Sequence, residues 1–384
     1  MKKVSFVQWT MFLFIFYGCS DSLKDYKLGN YDFTGEYSVG LDTVHYNEGG
    51  KDIEIVIWYP VNNISGDEKG SIREYLLLSE TDTSIRREID NPDTLKEILA
   101  SYLSPQPSQI DDSVLNVIYN LPVQAYFNQS PAEGKFPLVL WGSRHAVPIY
   151  QFVACEYLAA NGYVVAFAHS LNYSIPFPWE QGDKDKKLGA IETRVNILKS
   201  AYEKLATLPY VESNSTSVLG WSYGGESAAV LQNITPSIKL ISSLSGNTIH
   251  GWVYQRTDTL AAFNKKRLNV PCVVLAEKYN MRGNPNIGQE ITNNLPKGST
   301  VISFSEMSHG DFNAIEGFVT SEYGIENVFN WVSPNEKRGE YYKTALDLLL
   351  HSFNHYLKNK PLNYEEVIKD NVLDKDKLDI NKIM

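Results

Sequence analysis

The feature that most constrains the fold is a regular alternation of short apolar segments and helical patterns that starts at Phe136. Pro137–Trp141 and Tyr163–Ala168 are almost entirely apolar, which is typical of strands buried on both faces of a sheet. Tyr150–Ala160, which separates them, has the apolar spacing of an amphipathic helix. The alternation predicts an α/β fold with a mostly parallel, doubly wound sheet. Further strands are predicted at Thr216–Leu219, Ile238–Leu244, Val270–Ala276 and Thr300–Phe304, and further helices at Glu226–Leu231, Ile191–Leu208 and Tyr341–Leu357.

The segments on either side of this alternation set the domain boundaries. Two strands are predicted at Tyr37–Tyr46 and Asp52–Tyr59, where apolar and polar residues alternate. Residues 62–131 are polar and carry helix-like stretches, so we interpret them as a helical insertion before the third strand. One domain is expected over 36–360, and 361–384 is a charged tail that we expect to pack loosely.

The amino terminus has the pattern of an export signal. A basic start is followed by Val4–Tyr17, an apolar stretch too short for a comfortable membrane-spanning helix. The residues around Cys19 resemble the lipobox of bacterial lipoproteins, in which this cysteine is lipidated after cleavage. We therefore predict a signal peptide at 1–18, a tether at 19–35 and a lipid-anchored protein of the bacterial cell envelope. An ordinary secretory signal, giving a secreted or periplasmic protein, is the alternative.

Charge and cysteine content exclude some functions. The net charge of −10 argues against nucleic acid as a partner, since phosphate binding needs a basic face. Cys155 and Cys272 fall in apolar patterns and are expected to be buried free thiols. The sequence contains no cysteine–histidine cluster with metal-ligand spacing, no Walker sequence and no dinucleotide fingerprint.

A catalytic nucleophile is predicted at Ser222, in the run GWSYGG over Gly220–Gly225. The run directly follows the predicted strand Thr216–Leu219 and precedes the predicted helix Glu226–Leu231. A strand, a sharp turn and a helix are the context of a nucleophile elbow, and the glycines are needed because a Cβ would collide with neighbouring elements. Ser222 is then expected at a helix N-terminus, where N–H groups and the dipole favour a developing negative charge.

The partners of this serine should follow it in the order acid, histidine, in loops at strand carboxyl ends. His309 lies directly beyond the last predicted strand and is the candidate general base. Glu277 directly follows Val270–Ala276 and is the favoured acid, since a carboxylate there can orient the imidazole. Asp258, Glu306 and Asp311 remain alternatives.

An oxyanion hole needs two backbone N–H groups, each worth about 3–4 kcal/mol of barrier. One is expected from Tyr223, the residue after the nucleophile. The other is expected from the loop after Pro137–Trp141, where Arg144 or His145 is the candidate. His169, after the next strand, is expected to have a structural role.

Taken together, these segments resemble the α/β-hydrolases of the branch that includes platelet-activating-factor acetylhydrolases and dienelactone-hydrolase-like proteins. The resemblance covers about 36–360 and implies hydrolysis of carboxylic esters without a cofactor, with Ser222 as acyl nucleophile and His309 as base. It is carried by IVIWYP at Ile55–Pro60, FPLVLWGSRHA at Phe136–Ala146, YLAANGYVVAFAHS at Tyr157–Ser170, GWSYGG and SHGDF.

The chain departs from that branch at two places. Gly142-Ser143-Arg144 replaces the His-Gly pair of the oxyanion loop. After the sixth strand, where the acetylhydrolases carry the acid, the chain reads Ser243-Leu244-Ser245-Gly246 and has no carboxylate. Glu277, after the next strand, therefore takes the role of the acid.

Two functional hypotheses follow. The first is a serine hydrolase that cleaves small-molecule or glycan-linked esters through an acyl-enzyme. The second is a surface lipoprotein that kept the hydrolase fold, lost turnover and binds a glycan or lipid. The acyl and alcohol parts of the substrate are not readable from the sequence.

Overall fold

The structure is a computed structural model of the 384-residue chain. It describes residues 33, 35–66, 69–87, 91, 93–95, 97–98, 116, 118–142, 147–172, 184–222, 224–245, 260, 263–278, 295–322, 335–371 and 375–383. The predicted signal peptide at 1–18, the candidate lipidation site Cys19 and most of the tether lie outside these residues.

Eleven strands of the described chain form one sheet, in the order β11-β10-β9-β8-β7-β5-β6-β2-β1-β4-β3. Neighbours from β10 to β6 in this order are parallel, and β2 and β11 flank them in antiparallel orientation. The predicted mostly parallel sheet is confirmed. The strands are β1 Ser38–Glu48, β2 Lys51–Val61, β3 Lys69–Ser71, β4 Pro122–Phe127, β5 Phe136–Gly142, β6 Val164–Ser170, β7 Val211–Trp221, β8 Ile238–Leu244, β9 Cys272–Glu277, β10 Thr300–Phe304 and β11 Leu378–Lys382.

α-Helices connect β5 to β6, β6 to β7 and β7 to β8. The numbered α-helices are α1 Ile72–Ser79, α2 Thr83–Arg86, α3 Val147–Ala160, α4 Lys184–Leu205, α5 Gly224–Ile234, α6 Arg338–Lys358 and α7 Tyr364–Asp370. Shorter turns are a 3₁₀ turn at His309–Phe312 and a π-helix at Ala314–Val319 that continues into Thr320–Glu322. α6 ends at Asn359, whose φ of 56° lies in the left-handed region that asparagine tolerates at a helix end.

The helices cover both faces of the sheet, as a doubly wound fold requires. Along β5, Val139 and Trp141 belong to one buried cluster and Leu138 and Leu140 to the other. This happens because successive side chains of a strand point to opposite faces. The first cluster includes the apolar sides of α3 and α6, and the second includes those of α4 and α5.

The direction of winding changes between β5 and β7. From β5 the chain runs through α3 to β6 on one side, and β7 then pairs with β5 on its other side. Open α/β sheets bind ligands where the direction of winding changes in this way. β7 ends at Trp221, so the predicted nucleophile Ser222 follows at this position.

The expectation of a loosely packed tail is wrong. Within 361–384, α7 buries Tyr364, Val367 and Ile368. β11 then pairs along its whole length with β10 in antiparallel orientation. The prediction was based on the many charged residues of this segment. The apolar residues between them pack against the domain, and the segment covers the last parallel strand.

The insertion at 62–131 contains two strands besides the expected helices. Helical residues are described in α1, α2 and parts of 93–120. In addition, β4 pairs with β1 in parallel and with β3 in antiparallel orientation, so the insertion widens the sheet. These strands are short, and β4 begins with a proline, so their pattern was too weak to predict.

The domain starts before residue 36. Phe33, which the sequence places in the tether, is 2% exposed and makes edge contacts with Tyr157 and Phe318 at 5.2 and 5.3 Å between ring centroids. In the part of the chain that is described, no helix has the length and apolarity needed to cross a membrane.

Cys155 and Cys272 are buried and free, as predicted. Cys155 lies in the cluster that includes α3, and Cys272 lies in the cluster on the opposite face of the sheet. Burial raises the pKa of the Cys155 thiol well above its usual range and raises the pKa of Cys272 to about 12.

Candidate active site

Ser222 lies in the turn between β7 and α5 with a φ of 54°. Holding a residue other than glycine in this left-handed region costs on the order of 1–3 kcal/mol. The turn is fixed by two hydrogen bonds, from the Ser222 N–H to Leu244 O at 3.2 Å and from the Gly225 N–H to Ser222 O at 3.3 Å. A Cβ on Gly220 would lie 2.4 Å from the nitrogen of Gly225, so the turn requires glycine there.

Backbone hydrogen bonds continue across the strand ends next to the turn. The N–H of Ser245, directly after β8, donates to Leu275 O in β9 at 2.7 Å. The N–H of Lys278, directly after β9, donates to Phe304 O at the end of β10 at 2.8 Å. Together with the bond from Ser222 to β8, these contacts tie the first residue after each of β7, β8 and β9 to the end of the next strand in the sheet.

His309 begins the 3₁₀ turn beyond β10, as its place in the sequence predicts. Its ring stacks on Trp221, with centroids 5.1 Å apart and ring planes 18° from parallel. Trp221 directly precedes Ser222 and also contacts Tyr150 of α3, at 5.5 Å between centroids. The indole therefore packs the imidazole against the residue that directly precedes the candidate nucleophile.

A hydrogen-bond chain joins His309 to Glu277. The Nδ1 atom of His309 lies 2.5 Å from the hydroxyl of Ser245, and that hydroxyl donates to Glu277 Oε2 at 2.6 Å. Ser245 is 4% exposed and Glu277 is half-buried at the end of β9. The structure thus brings together the predicted base and the predicted acid, with a serine between them that the sequence reasoning missed.

The alternative acids have other contacts. Glu306 pairs with Lys377 at 2.5 Å. Asp311 is buried and accepts hydrogen bonds from the N–H and the hydroxyl of Ser308, at 2.7 and 3.0 Å. Asp258 lies outside the described residues.

The three candidates for the oxyanion hole, Tyr223, Arg144 and His145, also lie outside the described residues. The backbone on either side of them is described. A Cβ on Gly142, the last residue of β5, would lie 2.7 Å from Gly224 O at the start of α5. The loop that carries Arg144 and His145 therefore starts in contact with the elbow.

A buried charged cluster lies at the carboxyl end of β6. Glu54 is 2% exposed and accepts two hydrogen bonds from Arg86 of α2, at 2.8 and 2.6 Å. His169 Nε2 lies 2.8 Å from Glu54 Oε1, and His45 Nε2 lies 3.3 Å from Oε2. Burial alone would raise the pKa of Glu54, but hydrogen bonds from Arg86 and His169 outweigh it and lower the pKa to about 2.

This cluster attaches the insertion to the sheet. Burial lowers the pKa of His169, against the raising effect of the hydrogen bond to Glu54 and of its charge. The described side chains form no group of histidine, cysteine, aspartate and glutamate that would hold a metal ion. The sequence reasoning missed the role of Glu54 because its alternation with Ile53 and Ile55 suggested an exposed position, whereas β2 is buried on both faces.

Another buried carboxyl group lies behind the His309 turn. Glu316, in the π-helix, is 6% exposed. Its carboxyl group accepts a hydrogen bond from Asn313 Nδ2 at 2.9 Å, and its N–H donates to Asn313 Oδ1 at 2.8 Å. Burial raises the pKa of Glu316 to about 8, against the lowering effect of the Asn313 hydrogen bond, and the charge of Asp311 adds to the rise.

No protein-family model and no curated protein matches the chain. Solved structures do match, among them a ferulic acid esterase from Streptomyces cinnamoneus. The TM-score is 0.58 at 18% sequence identity, and the match covers 85% of this chain and 92% of that chain. At this identity the similarity shows the fold, which is the α/β-hydrolase fold implied by the sequence resemblance.

Proposed function

We propose that the chain is a serine hydrolase that cleaves carboxylic esters, with Ser222 as nucleophile, His309 as general base and Glu277 as acid. The observation that carries the proposal is the φ of 54° at Ser222, in a turn at the carboxyl edge of the sheet that directly follows Trp221, on which His309 stacks. Such strain persists where function needs it, and an elbow uses it to present a hydroxyl above the sheet. Ester hydrolysis by a neighbour of the same fold supports the chemistry.

Acylation begins when His309 Nε2 takes the proton of the Ser222 hydroxyl as Oγ bonds to the ester carbonyl carbon. The carbonyl electron pair moves to oxygen, giving a tetrahedral oxyanion. We assign its stabilisation to the N–H of Tyr223 and an N–H of the loop with Arg144 and His145. When the carbonyl re-forms, the bond to the alcohol oxygen breaks, and that oxygen takes the proton from His309.

Deacylation repeats the same steps with water as the nucleophile. His309 takes a proton from water as its oxygen bonds to the acyl carbon. Collapse of the second oxyanion breaks the bond to Ser222 Oγ, which recovers its proton from His309. The carboxylic acid leaves and the enzyme returns to its starting state without a cofactor.

A fluorophosphonate that reacts with activated serines tests the nucleophile. We expect it to label the folded protein at Ser222, and we expect Ser222→Ala to lose labelling and at least about 10⁴-fold in kcat. Ser227→Ala is the matched control, because Ser227 is also buried and lies one turn into α5. Folded protein that is not labelled, or Ser222→Ala that still turns over esters, contradicts the proposal.

The substrate class needs its own measurement. The matched structure is named as a ferulic acid esterase, so feruloyl esters belong in the comparison beside short-acyl, long-acyl and acetyl-sugar esters. We propose an ester of a small molecule or a glycan, in line with the acetylhydrolase and dienelactone-hydrolase branch that the sequence resembles. Ranking kcat/KM across this panel identifies the acyl preference. Tight binding of a glycan or lipid with no turnover of any ester supports the non-catalytic alternative.

We also propose that the protein is anchored in the cell envelope through a lipid on Cys19. The apolar stretch before Cys19 and the polar residues after it support this location. When the full chain is expressed in bacteria, it should partition into detergent, whereas Cys19→Ser should stay in the aqueous phase. Equal partitioning of the two proteins supports an ordinary secretory signal.

A further inference from the structure

Ser245 occupies an unusual place between two titratable side chains. It directly follows β8, the position at which the acetylhydrolases of the resembling branch carry the acid of the triad, and its φ is 45°. Its N–H is bonded to Leu275 O at 2.7 Å, and the residue is 4% exposed. A buried serine usually satisfies its hydroxyl on a nearby backbone carbonyl, but this hydroxyl contacts His309 and Glu277.

The positions of the protons in the hydrogen-bond chain from Glu277 through Ser245 to His309 follow from what each group can donate and accept. A hydroxyl has one proton to donate, and an ionised carboxylate can only accept. The Ser245 proton therefore points to Glu277 Oε2, which leaves the Ser245 oxygen as an acceptor towards His309. His309 must then donate from Nδ1, so its neutral form carries no proton on Nε2. That tautomer is the one a general base needs towards Ser222.

The order of the strands places Ser245 next to both partners. Glu277 ends β9, which is one strand further from β7 than β8 is. Neighbouring strands are about 4.8 Å apart. Hydrogen bonds of 2.5 and 2.6 Å on the two sides of one hydroxyl reach about this far. Ser245, at the end of β8, is therefore within hydrogen-bond distance of both His309 and Glu277.

We propose that Ser245 is a positioning residue through which Glu277 orients His309 and stabilises its protonated form. This inference rests on the proposed hydrolase function, because it assigns a role within that site. It predicts that the effect of Glu277 on catalysis depends on the Ser245 hydroxyl. A carboxylate that acted on His309 directly would not need it.

A double-mutant cycle with Ser245→Ala and Glu277→Gln tests this dependence. Each single variant should lower kcat by about 10- to 100-fold, the loss expected for one charge-assisted hydrogen bond, with KM little changed. The double variant should be no slower than the slower single variant. If the two losses multiply, Glu277 and Ser245 act independently and the inference is wrong.

The matched control is Ser243→Ala. Ser243 lies in β8 two residues before Ser245, is fully buried, and its hydroxyl has no hydrogen-bond partner among the described residues. It should keep kcat within about twofold of the parent protein. Ser245→Gly is a second hydroxyl-free variant that accepts a φ of 45° without strain, and it should match Ser245→Ala if the latter does not fold.

The tautomer of His309 provides a readout that a merely structural serine would not move. In the ¹⁵N-histidine NMR spectrum near pH 8, His309 should be protonated at Nδ1, with the signal assigned by its loss in His309→Gln. Ser245→Ala should give a mixture of tautomers, and Ser243→Ala should not. An Nδ1–H signal that is unchanged in Ser245→Ala contradicts the inference.

Failure of this inference can be separated from failure of the proposed function. If the parent protein reacts with the fluorophosphonate and hydrolyses esters while Ser245→Ala behaves like Ser243→Ala, only the role of Ser245 is wrong. If the folded parent protein does neither, the hydrolase proposal itself fails, and the Ser245 inference falls with it.

Discussion

Glu316→Gln should be more stable than the parent protein, and the difference in free energy of unfolding should grow as the pH rises. The Glu316 carboxyl group is buried behind the His309 turn, with Asn313 as a hydrogen-bond donor and the buried Asp311 nearby. Burial raises its pKa from 4.5 to about 8, so the folded protein keeps the group neutral at pH 7. Glutamine has the shape of the protonated acid and keeps a carbonyl oxygen for the Asn313 amide.

The size and sign of the effect follow from proton linkage. Between pH 4.5 and 8 the unfolded chain loses the Glu316 proton while the folded protein retains it, so folded-state stability falls as the pH rises. Each pH unit in this window costs about 1.4 kcal/mol. Over pH 5–8 the loss specific to Glu316 is then about 3 kcal/mol. Below pH 4.5 both states hold the proton, and the parent and Glu316→Gln proteins should have similar free energies of unfolding.

Urea unfolding followed by tryptophan fluorescence at pH 5, 6, 7 and 8 measures this difference. The free energies of unfolding of the two proteins should be within about 1 kcal/mol at pH 5, and Glu316→Gln should be more stable at pH 8 by about 3–4 kcal/mol. Glu336→Gln, at an exposed carboxylate, should follow the parent protein at every pH. If the difference in free energy of unfolding between the parent protein and Glu316→Gln is the same at every pH in this range, the fold does not keep the carboxyl group neutral.

Three further substitutions test other parts of the structure. Gly220→Ala forces a Cβ to within 2.4 Å of the α5 backbone, so we expect at least about 100-fold lower ester hydrolysis and about 1–3 kcal/mol lower stability; normal activity would contradict the tight elbow. Arg86→Ala leaves Glu54 buried without its bidentate partner and should destabilise the protein by about 3–5 kcal/mol in urea unfolding; a loss below 1 kcal/mol would show that the cluster does not anchor the insertion. Trp221→Leu keeps an apolar side chain but removes the ring stacked on His309, so kcat should fall by about 2- to 10-fold, and an unchanged kcat would contradict a positioning role for the indole.

The elements that the sequence predicted best are those whose pattern is local. β8 and β10 have the predicted bounds, Ile238–Leu244 and Thr300–Phe304, because continuous apolar runs bounded by polar residues are legible without knowledge of neighbours. The elbow could be predicted for the same reason, since a strand, GWSYGG and a helix are adjacent in the chain. His309 could be placed because it directly follows a strand that ends at the carboxyl edge.

The parts that could not be predicted depend on contacts between distant segments. Ser245 has an ordinary local sequence, and its role arises only because β8 lies between the strands that carry Ser222 and Glu277. β4 is recognisable as a strand only through its pairing with β1. Glu54 looked exposed because alternation alone cannot show that Arg86, from an insertion of helices and short strands, covers it.

The reactivity of the two buried thiols measures how often the layers around them open. Cys155 and Cys272 lie on opposite faces of the sheet, and their raised pKa values keep almost no reactive thiolate in the folded state. Each can react with a disulfide reagent only while its own layer is open. The ratio of their reaction rates therefore reports which layer opens more often. The measurement needs no label attached to the protein.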